Sequence, residues 1–346
     1  MIPFQDGSRL FESLVQPITT IDSHTEGELT RLIVDGVGEI PGTTMMEKLA
    51  YFKAHHDSVR CLLTKEPRGS REVLAAMVTK NVTPGAAFGL IYMDAKRYPY
   101  LCGHATMGAI ATLAQTGSLE LEEGENTILI DTPSGIMDAR AEVRGGRVDS
   151  MAIHMIPSFV LDTKRSIMIT GFGKVSVDIV CTGGFFAMVD TGLLGIDPVL
   201  ENKGLLVDLG MKIIKAANKQ LTIVHPVRPD VNTVDVTEFY DSGVKNKMAS
   251  GRGMVIYGES HMDRSPCGTG TAAKLALLHH YKKIKMHQPY INSSPLGTSF
   301  EAMLVEKTKI SHLDAFVTRI RGRAWVTGLH HFFLDKTDPF QQGYLV

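Results

Sequence analysis

Short apolar runs bounded by Gly, Pro, Asn and Asp recur along the whole chain, and some of them alternate with polar residues. Such runs are typical of β-strands. They cover 30–37, 61–65, 87–94, 126–133, 175–190, 221–227, 234–240 and 253–260. Apolar patterns of helical period predict helices over 44–55, 106–115, 203–219 and 271–283. Because strands outnumber helices and few neighbouring strands are joined by a single helix, the pattern predicts an α+β fold rather than a doubly wound parallel sheet.

Two stretches repeat one pattern: Cys-Gly, two further residues, Thr, and then an Ala-rich apolar segment. CGHATMGAIATLA begins at Cys102, and CGTGTAAKLALLH begins at Cys267, 165 residues later. A predicted strand precedes each motif and a predicted helix follows it. Internal similarity over half the chain indicates duplicated domains. We therefore predict an N-terminal domain of residues 1–150 plus 329–346 that carries Cys102, and a C-terminal domain of residues 151–328 that carries Cys267.

The composition excludes several classes of protein. The 346 residues include 36 Lys and Arg against 37 Asp and Glu, a net charge of −1, so the basic field of a nucleic-acid-binding protein is missing. No apolar stretch approaches the roughly 18 residues that suggest a membrane span. The N-terminus lacks the basic and apolar regions of an export signal. We expect a cytoplasmic protein that binds neither nucleic acid nor membrane.

The four cysteines, Cys61, Cys102, Cys181 and Cys267, lie far apart and form no C-x-x-C pair. In a long chain without an export signal, this spacing argues against a disulfide framework. Free cysteines of this kind either pack in the core or carry chemistry. We predict packing roles for Cys61 and Cys181, which fall in strand-like runs, and chemistry for the other two.

The residue types around the two repeated cysteines suit the start of a helix. Gly lets the backbone turn and approach a ligand closely, and Thr caps free N–H groups. Those N–H groups and the helix dipole attract a carboxylate or a phosphate. The same field stabilises a thiolate, so we expect a lowered thiol pKa at Cys102 and Cys267. Each motif thus combines an anion site with a reactive thiol.

Several chemistries use a reactive thiol, and the sequence separates them. A cysteine protease needs one thiolate beside a His and has no use for two symmetric thiols. Cys102, His104 and Cys267 would suit a metal, but no further His or Cys has ligand spacing, so we predict no metal site. The full glycine patterns of nucleotide-binding loops are missing at these motifs. A redox reaction of the two thiols is an alternative that the sequence leaves open.

Proton transfer between two thiols uses both motifs. One thiolate removes a proton from a carbon next to a carboxylate, and a thiol on the opposite face returns one. The two helix starts hold the carboxylate and stabilise the charge that develops on it. This hypothesis predicts a reversible inversion of configuration.

At these motifs the sequence resembles the proline racemase family, which includes proline racemases, hydroxyproline 2-epimerases and trans-3-hydroxy-L-proline dehydratases. The likeness extends over nearly the whole chain, and its most specific motif is DRSPCGTGT (263–271). The other motifs that carry it are DSHTEGELTR (22–31), EPRGS (66–70), LCGHATMGA (101–109), GRAWVTG (322–328) and DPFQQG (338–343).

The resemblance implies a fold like that of diaminopimelate epimerase, with two similar domains and the active site in the cleft between them. Each domain is then a β-barrel-like sheet around a central helix. The resemblance also implies no metal and no organic cofactor, and commonly a homodimer. The family's two acid–base thiols correspond to Cys102 and Cys267. Its substrate-binding positions correspond to Gly103, His104, Gly268 and Thr269, whose backbone holds the carboxylate, and to Asp263, which contacts the amine.

Departures from the family pattern bear on the substrate. Leu74 and Tyr257 both stand where proline racemases tend to have Phe. We predict that both line the pocket, where a smaller Leu and a phenol that forms a hydrogen bond slightly favour a hydroxylated ring. Ser70 replaces the usual His, and Ala105 replaces the common Gly or Asn. For His24 we predict a structural hydrogen bond near the cleft.

Together these observations predict a cofactor-independent racemase or epimerase that inverts Cα of proline or a hydroxyproline, with an imino acid as its small-molecule partner. Both motifs keep Cys, whereas the family's dehydratases usually have Ser or Thr at one of them, which favours inversion. Dehydration of trans-3-hydroxy-L-proline is the alternative enzymatic function. A second alternative is a non-catalytic thiol switch or small-carboxylate-binding protein.

Overall fold

The computed structural model describes residues 17–241, 243, 249–258 and 260–346. The N-terminal stretch in which we predict no export signal lies outside these residues, as does position 259 of the predicted strand 253–260. The described strands are β1 (Ile18–Thr25), β2 (Glu28–Asp35), β3 (Leu74–Thr79), β4 (Phe88–Met93), β5 (Gly124–Thr132), β6 (Gly135–Arg144), β7 (Arg147–His154), β8 (Ser158–Ile169), β9 (Gly173–Thr182), β10 (Gly184–Asp190), β11 (Val234–Tyr240), β12 (Ala249–Tyr257), β13 (His261–Met262), β14 (Tyr290–Ser293), β15 (Ser299–Ile310), β16 (Leu313–Gly322) and β17 (Ala324–Phe332). The described helices are α1 (Met45–His55), α2 (Asp57–Thr64), α3 (Gly103–Gln115), α4 (Thr191–Leu194), α5 (Lys203–Gln220) and α6 (Gly268–His280), with a 3-10 turn at Leu200–Asn202.

The strand pairings repeat between the two halves of the chain. In the first half, β1 to β7 pair in order as antiparallel, parallel, antiparallel, parallel, antiparallel and antiparallel neighbours. In the second half the same series joins β9, β10, β11, β12, β14, β15 and β16. One further strand pairs with the first member of each series, β17 with β1 and β8 with β9. The two halves are therefore pseudo-symmetric, as predicted.

Each half surrounds one helix with its sheet. β16 also pairs with β8, which closes the second series into a barrel, and with β7, which joins the two halves. Residues 103–113 of α3 are buried throughout, and so are residues 270–278 of α6. A helix with apolar or small residues on every face is typically buried on all sides. The predicted α+β fold, with a central helix inside each barrel-like sheet, is confirmed.

The remaining helices pack on the outside of the sheets and form separate cores. Leu49, Phe52 and Leu63 of α1 and α2 are buried against the first half. Leu206 and Ile213 of α5 are buried against the second half. No helix in the described part of the chain is long and apolar enough to cross a membrane.

Two of the predicted strands are wrong. Residues 61–64 form the end of α2, which begins at Asp57 and buries Cys61, Leu62 and Leu63, and Lys65 follows as its C-cap residue. A short apolar run has no period that separates a strand from a buried helix segment. Residues 221–227 form neither a helix nor a strand, and Ile223 is buried in the core of α5 although its segment is irregular.

The sequence pattern also missed several strands with one exposed face, among them β8, β15 and β17. β17 alternates between exposed and half-buried positions along its whole length. Both boundaries of the predicted domains fall within strands, at residue 150 in β7 and between residues 328 and 329 in β17. Because β17 pairs with β1 throughout, it belongs to the first sheet, and the two-domain division stays a prediction.

Candidate active site

The two cysteine-bearing helix starts meet between the halves. Cys102 is the N-cap residue of α3, and Cys267 is the N-cap residue of α6. A β-carbon placed on Gly268 would lie 3.9 Å from the Cα atom of Gly103 and 3.7 Å from the side chain of Met155. The absence of side chains at both glycines therefore lets two helix N-termini, each with free backbone N–H groups, approach one space.

A cavity of about 100 Å³ lies at this meeting point. All the residues predicted to form the site line it: Leu74, Cys102, Gly103, His104, Tyr257, Asp263, Cys267, Gly268 and Thr269. Seven further lining residues were missed by the sequence reasoning: Asp94, Arg97, Pro99, Leu101, Phe186, Val236 and Val255. The structure thus brings both halves of the chain together around a small concave site.

Cys267 is buried and lies in a constrained backbone conformation. Its φ is 58°, a left-handed value that is uncommon outside glycine. The Sγ atom accepts a hydrogen bond from the N–H of Gly270 at 3.3 Å and lies 3.4 Å from the Oγ1 atom of Thr269. Burial and then the charge of Asp263 raise the pKa of the Cys267 thiol well above its ordinary value. The lowered pKa predicted for this thiol is wrong, because loss of water outweighs the hydrogen bonds of the helix start.

Cys102 is more exposed and faces a cation. Its Sγ atom lies 3.3 Å from the Nδ1 atom of His104. Burial opposes protonation of the His104 ring, but the charge and hydrogen bond of Cys102 and the charges of Asp263 and Glu28 together outweigh burial and raise the pKa of His104 to about 9. The His104 ring therefore carries a positive charge next to the Cys102 sulfur. The sequence reasoning assigned His104 mainly a backbone role, whereas the structure places its ring against the sulfur.

Asp263 lies in the loop before α6 and is almost fully buried. One carboxylate oxygen accepts hydrogen bonds from the N–H and the hydroxyl of Ser265, both at 2.8 Å. Burial and then the charge of Glu28 raise the pKa of the Asp263 carboxyl. A buried carboxylate beside a small cavity suits recognition of a cationic group such as a protonated amine.

Comparison with known proteins gives the family. The sequence profile described as proline racemase matches residues 20–345. The chain belongs to the proline racemase family. A proline racemase of Clostridioides difficile is 36% identical to it over 329 residues, which cover 95% of this chain and 98% of that protein. A 4-hydroxyproline 2-epimerase of Streptosporangium roseum is 37% identical over 326 residues, which cover 94% of this chain and 97% of that protein.

Solved structures agree with this family assignment. A hydroxyproline epimerase from Agrobacterium vitis, with bound trans-4-hydroxy-L-proline, superposes with a TM-score of 0.86 and 28% identity, covering 96% of this chain and 95% of that chain. A PhzF-family phenazine biosynthesis protein from Bacillus anthracis superposes with a TM-score of 0.58 and 12% identity, covering 92% and 99%. The second likeness shows the diaminopimelate-epimerase-like fold alone.

In this member of the proline racemase family, an ion cluster joins the two halves beside the cavity. Glu28 of β2 is fully buried, and its carboxylate lies 3.1 Å from Nε2 of His261. It also accepts hydrogen bonds from the backbone N–H and the guanidinium of Arg264, at 2.7 Å and 3.0 Å. Burial opposes ionisation of Glu28, but these partners outweigh it and lower the pKa to about 2. Glu28 lies in the DSHTEGELTR motif, so the family resemblance at that motif was the sequence signal that could have identified it.

Tyr257 forms part of the cavity wall between this cluster and the thiols. Its ring packs edge-on against His261, with centroids 4.8 Å apart, and the guanidinium of Arg97 lies 5.8 Å from its centroid. Burial and then the charge of Glu28 raise the Tyr257 pKa well above its ordinary value. The phenol therefore keeps its proton and offers the cavity one hydrogen-bond donor.

The other predicted residues lie around the site. His24 accepts a hydrogen bond from the N–H of Gly27 and stacks on Trp325, consistent with the structural role predicted for it. Ser70 accepts a hydrogen bond from the N–H of Glu72, and Ala105 is buried in α3.

The thiols predicted to pack, Cys61 and Cys181, are both buried. Among the described residues no group of three or more His, Cys, Asp or Glu side chains is arranged to hold a metal ion.

Proposed function

We propose that this protein is a racemase or epimerase that inverts Cα of proline or a hydroxyproline without a cofactor. One observation carries the proposal: Cys102 and Cys267, each at a helix N-terminus and each from a different half, line the same small cavity. Two thiols from opposite sides suit removal and return of a proton at one carbon.

In the proposed reaction the substrate carboxylate lies between the two helix starts. The backbone N–H groups of Gly103, His104, Gly268 and Thr269, which line this cavity in the first turns of the two helices, would stabilise the charge that builds up when the Cα proton leaves. Asp263 would hold the protonated amine. One cysteine thiolate takes the Cα proton, and the opposite thiol gives its proton to the other face. The product leaves with the protonation states of the two sulfurs exchanged.

The geometry supports a particular resting state for this cycle. Cys102, which lies beside the His104 imidazolium, is the better site for a thiolate. Cys267 is buried next to a carboxylate and is the better site for a neutral thiol. We therefore propose that Cys102 is the base and Cys267 the acid for the first substrate that the free enzyme meets.

The walls of the cavity bear on the substrate. Leu74, Phe186, Val236 and Val255 supply an apolar surface that suits a pyrrolidine ring. The neutral phenol of Tyr257 supplies one hydrogen-bond donor. These features support a hydroxylated ring, as in the hydroxyproline epimerase that superposes on this chain. Homodimer formation, which the family resemblance implies, belongs to the same proposal.

Hydrogen exchange at Cα in D₂O tests the proposed function. Incubation with L-proline, trans-4-hydroxy-L-proline and the 3-hydroxy isomers should place deuterium at Cα of at least one of them. Chiral chromatography should then detect the inverted epimer. A Cys181→Ala variant is the matched control, because it removes a buried thiol outside the cavity and should keep the exchange.

Each alternative function has its own outcome in this experiment. If the ring hydroxyl is lost and a cyclic imine forms instead of the inverted epimer, the protein is a dehydratase. A carboxylate ligand that raises the melting temperature, without any exchange across the substrate panel, would indicate a non-catalytic binding protein.

A further inference from the structure

A buried acid–base pair lies directly behind Cys267. Glu238 of β11 and Lys274 of α6 are both completely buried, with 3.4 Å between Oε1 and Nζ. Charged side chains are rarely buried completely, because removing the hydration of each ion is strongly unfavourable. The catalytic scheme above uses neither residue, so the pair needs its own explanation.

The carboxyl of Glu238 contacts the same turn that holds the thiol. A β-carbon placed on Gly270 would lie 2.8 Å from Oε2 of Glu238 and 3.3 Å from the β-carbon of Cys267. The N–H of this same Gly270 donates the hydrogen bond to the Cys267 sulfur. Only a glycine fits between the carboxyl and the cysteine, so the helix start lies directly against Glu238.

The two members of the pair have unequal partners. Lys274 donates hydrogen bonds to the carbonyl of Arg252 at 2.9 Å and to the side-chain oxygen of Asn292 at 2.7 Å. Neither carboxyl oxygen of Glu238 has a hydrogen-bond partner among the described residues. A purely structural ion pair would satisfy its carboxylate, because an unsatisfied buried acceptor is destabilising. Glu238 therefore faces the turn that carries Cys267 with carboxyl oxygens that accept no hydrogen bond from the described residues, and its ion pair with Lys274 is long, at 3.4 Å.

The first half differs at the positions that correspond to Gly270 and Lys274. Ala105 stands three residues after Cys102, where Gly270 follows Cys267. Ala109 stands seven residues after Cys102, where Lys274 follows Cys267. In an otherwise pseudo-symmetric fold, the pair distinguishes the environment of one thiol from that of the other.

We propose that Glu238 and Lys274 are positioning residues that set the charge balance at Cys267, with Glu238 opposing a thiolate there and Lys274 limiting that opposition so that the thiolate forms during turnover. The proposal rests on the proposed two-thiol function and extends it. It gives a reason why proton transfer starts from an unequal pair: the free enzyme holds its proton on Cys267 and its negative charge on Cys102.

The surrounding titratable groups are consistent with this balance. Asp263 and Glu238 are the carboxyls whose charge reaches Cys267. The groups near the pair itself are Asp241, Tyr240 and Tyr290, all of which become anions on losing a proton. Burial raises the pKa of Glu238 and lowers that of Lys274, and each partner's charge opposes the shift of the other.

Alkylation of the two thiols, measured separately, tests the proposal. Iodoacetamide labelling of the full chain is followed at Cys102 and Cys267 by peptide mass spectrometry over a series of pH values. Replacing Glu238 by Gln keeps the side-chain volume and leaves Lys274 its two oxygen acceptors. We expect the midpoint of the Cys267 profile to fall by about one pH unit, or about tenfold faster labelling below the midpoint. The Cys102 profile should not move.

Two further variants complete the design. Asp178→Asn is the matched control: this buried carboxylate accepts a hydrogen bond from Tyr281, beyond the far end of α6, and should change neither profile. The double variant E238Q/K274M removes both charges and leaves no lone buried ion, so it tests the same effect if the single variant does not fold. It should also lower the Cys267 midpoint.

The outcomes separate this inference from the proposed function. An unchanged Cys267 midpoint in a folded E238Q or E238Q/K274M protein would overturn the role of the pair, whether or not the enzyme is active. Equal shifts at both cysteines would overturn it too, because a general loosening of the cavity would produce that result. Absence of Cα exchange in the wild-type protein would overturn the proposed function without affecting the alkylation result.

Discussion

The Sγ atom of Cys102 lies 3.3 Å from Nδ1 of His104, in the first turn of the helix that Cys102 caps. At Cys267 the neighbouring charge is instead that of a carboxylate, Asp263. Two cysteines with the same local sequence therefore have opposite electrostatic surroundings. Under the proposed two-thiol function, we expect this difference to place the negative charge at Cys102 and the proton at Cys267 in the free enzyme.

Replacing His104 by Gln removes the cation beside Cys102 and keeps a polar side chain. We expect alkylation of Cys102 near neutral pH to slow by about tenfold, because the variant lacks the positive charge beside the sulfur. Because the imidazolium exists below the His104 pKa of about 9, the wild-type advantage should disappear as the pH rises through that value. Site-resolved alkylation rates measure this, and identical pH profiles for the two proteins would contradict it.

Replacing Glu28 by Gln breaks the ion cluster between the halves. The pKa of Glu28 is lowered from 4.5 to about 2, so its contribution is complete above 4.5 and is lost as the pH falls through about 2. We expect the variant to be less stable by about 3 kcal/mol near neutral pH, as for other broken buried pairs. The difference from wild type should shrink between pH 4.5 and 2 in denaturant unfolding.

An exposed ion pair provides the control for the Glu28 variant. Glu125 pairs with Arg140, and both side chains are largely exposed. Glu125→Gln should leave the unfolding midpoint unchanged, because exposed pairs contribute little to stability. A loss as large as that of Glu28→Gln would show that burial of the cluster is not the cause.

Replacing either active-site cysteine by Ser should abolish inversion. Serine is too weak an acid and base at neutral pH to exchange a proton with Cα, so we expect Cys102→Ser and Cys267→Ser each to reduce epimer formation by at least ~10²-fold. Chiral chromatography measures the loss. Full activity in either variant would exclude the two-thiol mechanism, whereas deuterium incorporation without inversion would identify the remaining thiol as a base.

Replacing Tyr257 by Phe removes one hydrogen-bond donor from the cavity and leaves the ring in place. If the substrate carries a ring hydroxyl, kcat/KM for the hydroxyproline should fall by about tenfold, the net contribution of one hydrogen bond. The value for proline should stay the same. Parallel kinetics with both substrates measure the difference, and an equal loss for both would assign Tyr257 to packing.

Local patterns in the sequence determined a large part of this protein. The repeated Cys-Gly motif with its Ala-rich segment indicated the two buried helices, the pseudo-symmetry and both cysteines at the helix starts. These features are readable because glycine, capping residues and hydrophobic period act within a few residues of chain. The same motifs, through the family resemblance, pointed to nine of the sixteen residues that line the cavity.

Only the tertiary structure decided how those residues differ from one another. Glu28 contacts His261, which is 233 positions away in the sequence. Glu238 of strand β11 lies next to Gly270 of helix α6. The thiol pKa of Cys267 rises because the effect of burial outweighs the hydrogen bonds of the helix start. Burial depends on the packed fold and cannot be derived from the neighbouring residues in the sequence. The strand β17 also escaped sequence reasoning, because none of its positions is fully buried and its partner β1 lies at the other end of the described chain. Burial and long-range charge are properties of the packed chain, and they distinguish two thiols that the sequence presents as equivalent.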